Sequence, residues 1–383
     1  MRLSITEKNT KKIVFLTGTR ADFGKLKTLI ETLNKNNGFD VHIFATGMHM
    51  DNKYGYTVRE IEKCGYDNIY RYINHDSESI MDITLSRTIE GFANYVRMIE
   101  PDLIVVHGDR IEALAGATVG ALNNILVAHI EGGELSGTVD ELIRHAVSKL
   151  SHTHFVANRE ARKRLIQMGE LEESVYVIGS PDMDIMLSEN LPHIDVAKEY
   201  YGIGFENYAL SIFHPVTTEY DQMHEYAESY FEALIQSDHN YVVIYPNNDK
   251  GSDIIMQHVK NLQHYSRFKI FPSIRFEYFL TLLKNASFIA GNSSAGIREA
   301  PCYGVPTINV GTRQNGRSSN PDIINTGYDS KDILKGLKKG CDQKINNRSQ
   351  QLFGNGKSAL LFAEILSDEC FWKTKKQKAF KDV

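Results

Sequence analysis

The 383-residue sequence is poor in cysteine, lacks long apolar runs and carries little excess charge, and each absence closes off a class of explanation. Its four cysteines, Cys64, Cys302, Cys341 and Cys370, lie far apart with no C-x-x-C pair. That argues against a zinc knuckle and against a disulfide framework, and it fits a reducing compartment. The amino terminus, MRLSITEKNTKK, is polar, and the IVFL run behind it is too short for a signal-peptide core or a membrane-spanning helix. A cytoplasmic enzyme with no membrane partner is therefore expected. A net charge of -5 gives no reason to expect nucleic acid, although a local basic pocket for a phosphorylated ligand is compatible with it.

What is present is a globular composition, 42% hydrophobic and 24% charged, on a chain too long for one ordinary core. Short β-branched runs alternate with helical periodicity from end to end, which predicts doubly wound α/β architecture in two domains. Strands are expected at residues 13–17, 41–48, 103–106, 125–130, 208–213, 241–245 and 288–290, with two more in HTHFVAN and SVYVIG. Helices are expected at 80–99, 111–122, 140–150 and 159–168, and a further one follows the Gly-containing turn at 354. The polar run 49–76 reads as loop plus a short helix, and the stretch up to Gly204 as an irregular link. The Lys-rich segment 328–347 reads as a surface helix and loop, and the charged tail from Lys373 as peripheral. The Ala- and Gly-rich helix 111–122 is suited to lying close against a sheet.

The segment from His107 to Leu150 dominates the reading. Asp109 ends one strand, and Glu131, Glu134, Asp140 and Glu141 follow the next. Acids gathered where buried strands end are costly to place there for packing alone, and ligands bind at that edge of open α/β sheets. Capping of helix 140–150 is a competing explanation for Asp140. Around the first turn, Arg20 and Lys25 flank a helix N-terminus, which makes a diphosphate a reasonable guest, though paired surface cations are common. Ser293 and Ser294 lie in a small-residue turn that offers amides and hydroxyls to a phosphate. Alone that turn is weak; its weight comes from convergence with Arg20, Lys25 and His214.

Taken together, GTRADFGKL (18–26), HGDRIEALA (107–115), HIEGGELSGTVDELIRH (129–145), FHPVTTE (213–219), PSIRFEYF (272–279) and GNSSAGIREAP (291–301) closely resemble the hydrolysing UDP-N-acetylglucosamine 2-epimerases of bacterial sialic-acid biosynthesis. The resemblance runs in order over nearly all of residues 12–366. The non-hydrolysing epimerases are more distant, typically with Arg-Pro-Glu where this chain has Arg20-Ala21-Asp22. The resemblance implies a GT-B arrangement: an N-terminal Rossmann-like domain (1–183) carrying the catalytic carboxylates, a C-terminal one (184–357) binding UDP, and a helix and tail (358–383) crossing back. It implies conversion of UDP-N-acetylglucosamine and water to N-acetylmannosamine and UDP, without metal or other cofactor, in a homodimer. Asp109, Glu131 and Asp140 are the implied acid-base set, with Asp109 on the C2 proton, Glu131 in transfer to C2 or the adding water, and Asp140 positioning or exchanging protons with them. His214 is implied near the leaving diphosphate, and Arg20, Ser293 and Ser294 at the phosphates. Phe276 is a candidate for stacking on uracil, Glu299 for ribose hydroxyls, and Arg313 and Arg317 for closing over the ligand. Glu134 and Glu141 are left with supporting roles. Rival readings are the same reaction on a UDP-linked 2,4-diacetamido-2,4,6-trideoxy sugar, a GT-B glycosyltransferase, and a non-catalytic nucleotide-sugar sensor.

Overall fold

The computed structural model describes residues 10–75, 80–136, 139–317, 320–343, 345 and 353–379. The first nine residues, whose polarity argued against a leader, and the end of the Lys-rich run to Asn347 lie outside them. Two wholly parallel sheets carry the chain. The first holds β1 (Lys11–Thr17), β2 (Phe39–Ala45), β3 (Asn68–Arg71), β4 (Leu103–His107), β5 (Leu126–Ile130), β6 (Thr153–Val156) and β7 (Val175–Val177), in the order β3-β2-β1-β4-β5-β6-β7. The second holds β8 (Ala209–Ile212), β9 (Tyr241–Ile244), β10 (Phe268–Phe271), β11 (Ile289–Gly291), β12 (Thr307–Val310) and β13 (Ile323–Thr326), ordered β10-β9-β8-β11-β12-β13. Helices cover both faces, which is why central strands such as Leu103–Val106 are apolar without alternation and fully buried. This is the two-domain Rossmann-like arrangement expected.

Each sheet reverses its strand order once, between β1 and β4 and between β8 and β11. The carboxyl ends of those strands open crevices that admit ligands. The small-residue helix Ile111–Leu122 does lie close: a Cβ on Gly120 would stand 2.3 Å from Val127 Cγ2.

Three local expectations differ. Strand β2 stops at Ala45, and Gly47–Met50 turns as a 3-10 helix, because Gly47 sits at φ +60° with Gly18 O 2.7 Å from where its Cβ would be. The run 49–76 hides β3, an edge strand of four residues whose Tyr70 and Arg71 are exposed, so no buried alternation marks it. The link before Gly204 contains helices Pro181–Met186 and Ile194–Tyr201, the first opening on proline at a position that suits it.

The chain crosses between the sheets twice. It leaves the first after β7 and returns into helix Ser358–Ser367, where Phe362 packs edge-on against Phe15 and Phe155 at ring separations of 6.4 and 4.7 Å. The crossings touch: Ser180 N–H donates to Phe353 O at 2.6 Å, and Gly179 (φ +87°) lies against Gly354 (φ +119°). Asp184 takes the amides of Ser358 and Ala359 at 2.8 and 2.7 Å, fixing the start of the returning helix. The tail, expected to be peripheral, is anchored instead. Lys378 Nζ donates to Ser151 O at 2.7 Å and pairs with the buried Glu170. No helix among the described residues is long and apolar enough to cross a membrane.

Candidate active site

The two switch points face one another across a cleft of about 320 Å³. The residues given catalytic or binding roles from the sequence line it: Asp109, Glu131, Asp140, His214, Arg20, Lys25, Phe276, Ser293, Ser294, Glu299, Arg313 and Arg317. Glu134 and Glu141 stand behind them. Glu134 pairs with Arg298 at 3.1 Å, and Glu141 accepts the Ser136 amide and pairs with His145 at 3.0 Å.

The first sheet supplies an acidic wall in which each carboxylate has its own arginine. Asp109 follows β4 through Gly108, which turns at φ +72°. It accepts a hydrogen bond from Ser136 Oγ at 2.8 Å and pairs with Arg144. Burial pushes its carboxyl up, but Arg144, Arg317 and the Ser136 hydroxyl outweigh burial and hold it below the ordinary range. Asp140, in the first turn of helix Val139–Leu150, lies 3.4 Å from Arg313. Its carboxyl is raised, by burial first and by the neighbouring Asp109 charge second. Two acids driven apart in this way are suited to opposite halves of acid-base work.

Glu131 directly follows β5 with φ +62°, a left-handed backbone that costs a side-chain-bearing residue about 1–3 kcal/mol. Its carboxylate receives Arg298 through two hydrogen bonds, Nη2 to Oε1 at 2.6 Å and Nη1 to Oε2 at 2.8 Å. His107 Nε2 lies 3.1 Å away and Lys25 Nζ 3.5 Å, and Ser180 Oγ donates to Oε1. Burial opposes ionisation there, yet Arg298 and Lys25 carry the carboxyl well below the ordinary value. The Glu131 carbonyl accepts Arg144 Nη1 at 2.6 Å, so one arginine ties Asp109 to the Glu131 backbone.

The second sheet supplies neutral donors beside the cations Arg298, Arg313 and Arg317. His214 follows β8, and Asn292, just past β11, clamps its backbone: the His214 amide donates to Asn292 Oδ1 at 2.6 Å and Asn292 Nδ2 donates to His214 O at 2.8 Å. The Asn247 amide donates to His214 Nδ1 at 3.0 Å, so the proton of the neutral ring sits on Nε2. Burial, with Arg313 and Arg110 nearby, holds this ring far below its usual pKa. Ser293 caps the 3-10 turn Ser294–Gly296, its hydroxyl accepting from the Ala295 amide at 3.3 Å. Glu299 is buried and raised by that burial, and its Oε2 has no hydrogen-bond partner.

The structure commits some residues in ways the sequence did not foretell. Arg20 pairs with Glu60, and Lys25 pairs with Asp182 at 3.1 Å as well as approaching Glu131. Both cations of the first turn thus answer protein carboxylates. Phe276 is largely buried in the core and packs on Gly24, whose Cβ would stand 2.7 Å from Phe276 Cβ. Residues missed altogether are His107, Arg144, Ser180, Asp182 and Arg298. Arg144 had a signal, lying four residues after Asp140 on one helix face. Arg298 stands beside Glu299 in a quoted motif, but only the fold brings it to Glu131. Among the described residues no group of three or more His, Cys, Asp or Glu is arranged to hold a metal ion.

Similarity to known proteins agrees with this geometry. A family model described as UDP-N-acetylglucosamine 2-epimerase matches residues 31–367. The chain is 49% identical over 376 residues to the UDP-N-acetylglucosamine 2-epimerase of Neisseria meningitidis serogroup B, covering 97% of this chain and 99% of that one. It is 34% identical to the UDP-N,N'-diacetylbacillosamine 2-epimerase (hydrolyzing) of Legionella pneumophila, covering 91% and 93%. Among solved structures, the Methanocaldococcus jannaschii UDP-GlcNAc 2-epimerase in complex with UDP-GlcNAc and UDP shares the fold, with TM-score 0.78 at 24% identity over 93% of this chain and 99% of that one. A cleft between two Rossmann-like sheets, acids on one wall and neutral donors on the other, and this breadth of similarity place the chain in the UDP-N-acetylglucosamine 2-epimerase family.

Proposed function

We propose that this protein is a hydrolysing 2-epimerase, converting UDP-N-acetylglucosamine and water to N-acetylmannosamine and UDP at the head of sialic-acid biosynthesis. The observation that carries the reading is the opposed pair Asp109 and Asp140, one held ionised and the other raised, facing His214, Ser293, Ser294 and Arg313 across the cleft. Asp109 takes the C2 proton as the C1–O bond to UDP breaks, leaving the C1=C2 double bond of 2-acetamidoglucal. Asp140 then delivers a proton to C2 from the opposite face, while Glu131 takes a proton from the water that adds at C1, so C2 is inverted. His214 Nε2–H, Ser293, Ser294 and Arg313 receive the departing diphosphate, and a neutral donor aimed at developing charge stabilises the transition state more than the ground state. Glu299 accepts ribose hydroxyls on its unpartnered oxygen, and Phe276 and Arg20 border the nucleotide. The assignment includes functional units at 1–183, 184–357 and 358–383, a homodimer and a cytoplasmic setting.

The name of the Legionella relative favours a second substrate, a UDP-linked 2,4-diacetamido-2,4,6-trideoxy sugar, with unchanged chemistry. Incubation of each sugar nucleotide in D2O under proton NMR decides. UDP with N-acetylmannosamine deuterated at C2 is the expected result. Accumulation of UDP-N-acetylmannosamine would overturn the hydrolytic step, and turnover of the trideoxy sugar alone would select the second substrate.

A further inference from the structure

Arg298 stands on the second unit, immediately before helix Glu299–Tyr303, yet its guanidinium belongs chemically to the first. Besides its two bonds to Glu131, Nη2 donates to Ser180 Oγ at 2.6 Å and Nη1 to Glu134 Oε2 at 3.1 Å, and the side chain is buried. A planar fork on a carboxylate sets the plane of that carboxylate as well as its charge, which a lysine cannot do. Another arginine that reaches an implied catalytic acid across the cleft, Arg313 to Asp140, pairs with it at 3.4 Å. Asp109, by contrast, takes its arginine from its own unit.

We propose that Arg298 is a positioning residue that makes Glu131 competent only when the cleft is closed, by fixing the plane and charge of its carboxylate from the opposite unit. The inference rests on the proposed function for its kinetic consequence, though not for its electrostatic one. The groups facing Glu131 are Lys25 from helix Arg20–Asn34, His107 from the end of β4, Asp182 from helix Pro181–Met186, Glu134 on its own segment, and Arg298 and Glu299 from the second unit. When the units part, Arg298 leaves. Lys25 is then the nearest fixed cation, and it is shared with Asp182, to which it stands closer. Glu131 then keeps a strained backbone but loses its principal counter-charge and the fork that orients its carboxylate, and its pKa climbs. Cleft closure therefore sets the plane and the counter-charge of the acid that handles water.

The variants R298K and R298M test this. For R298M the expected loss in kcat is about 100-fold or more with KM changed less than about fivefold, and the acidic limb of the kcat/KM profile should move up by about one pH unit or more. R298K, which keeps charge and loses the fork, should recover about tenfold of that kcat and most of the limb. An unmoved acidic limb in both variants overturns the proposal, since a purely structural role lowers rate without shifting it. If R298M does not fold, R298Q, which removes the charge and keeps a polar side chain, is read by the same limb. A substrate-free arm follows the Glu131 carboxyl by carbon-13 NMR, assigned by its loss in E131Q. It should titrate well below the ordinary range in the wild type and move up in R298M or, failing that, R298Q. No movement there overturns the inference, whereas a wild-type protein inert toward both sugar nucleotides overturns the proposed function instead.

Discussion

The two walls of the cleft solve different electrostatic problems. On the first, Asp109, Glu131 and Asp140 are each matched to a separate arginine, Arg144, Arg298 and Arg313. The second lends Arg298 and Arg313 to those acids and otherwise presents neutral groups, His214 pinned by Asn247 and Asn292 and the hydroxyls of Ser293 and Ser294. The difference teaches where full charge is useful. Proton carriers need a fixed place and a set pKa, so each stands beside a counter-charge at the expense of desolvating both. A seat for an anion that forms during reaction is better built from oriented neutral donors, which gain strength as charge develops and cost little beforehand.

The comparison can be broken most severely at Asp109. D109N keeps shape and removes the base; kcat should fall by about 10³-fold while the UDP dissociation constant, read by calorimetry, stays within about threefold. Equal losses in both would mean that the acidic wall also holds the nucleotide. The reverse test is H214A, expected to weaken UDP binding by about tenfold and to lower kcat by about 10²-fold, as loss of one oriented donor does. Unaltered UDP affinity would dissolve the division between the walls.

A smaller effect appears in folding. His49 and His129, both in the first unit, are buried and held neutral, each lowered to about 3. A histidine depressed in the folded state contributes stability that is complete above its unfolded pKa near 6.5. As pH falls from there toward 3, the unfolded chain binds the extra proton and that stability is lost at about 1.4 kcal/mol per pH unit for each ring. Urea midpoints should therefore drop steadily below pH 6.5. H129N, which removes one such ring, should flatten the slope relative to its own value at pH 7.

Much of this was legible in sequence because strand ends announce themselves. Asp109, Glu131 and Asp140 stand where an apolar run meets acids, and His214 and Ser293 close similar runs in the second half, so the two switch points were nearly written out. What escaped was whatever depended on a partner far along the chain. Arg298 is 167 residues from Glu131, and no local pattern distinguishes it from a surface arginine. Arg20 illustrates the converse: its position beside a helix N-terminus is visible, but its pairing with Glu60 is not. Strand β3 escaped for another reason, since four half-exposed residues at a sheet edge carry no periodic burial.

The contact between the two crossings has a mechanical meaning. One tether between two bodies would let them swivel freely, whereas two cords running side by side, joined where Ser180 meets Phe353, resist torsion and leave bending as the soft mode. Both cords carry a glycine at the point of contact, and a Cβ on Gly354 would stand 2.8 Å from Gly179 Cα. Side by side, the two crossings hold the halves of the cleft in one register, so that pairs such as Arg298 and Glu131 meet at fixed positions.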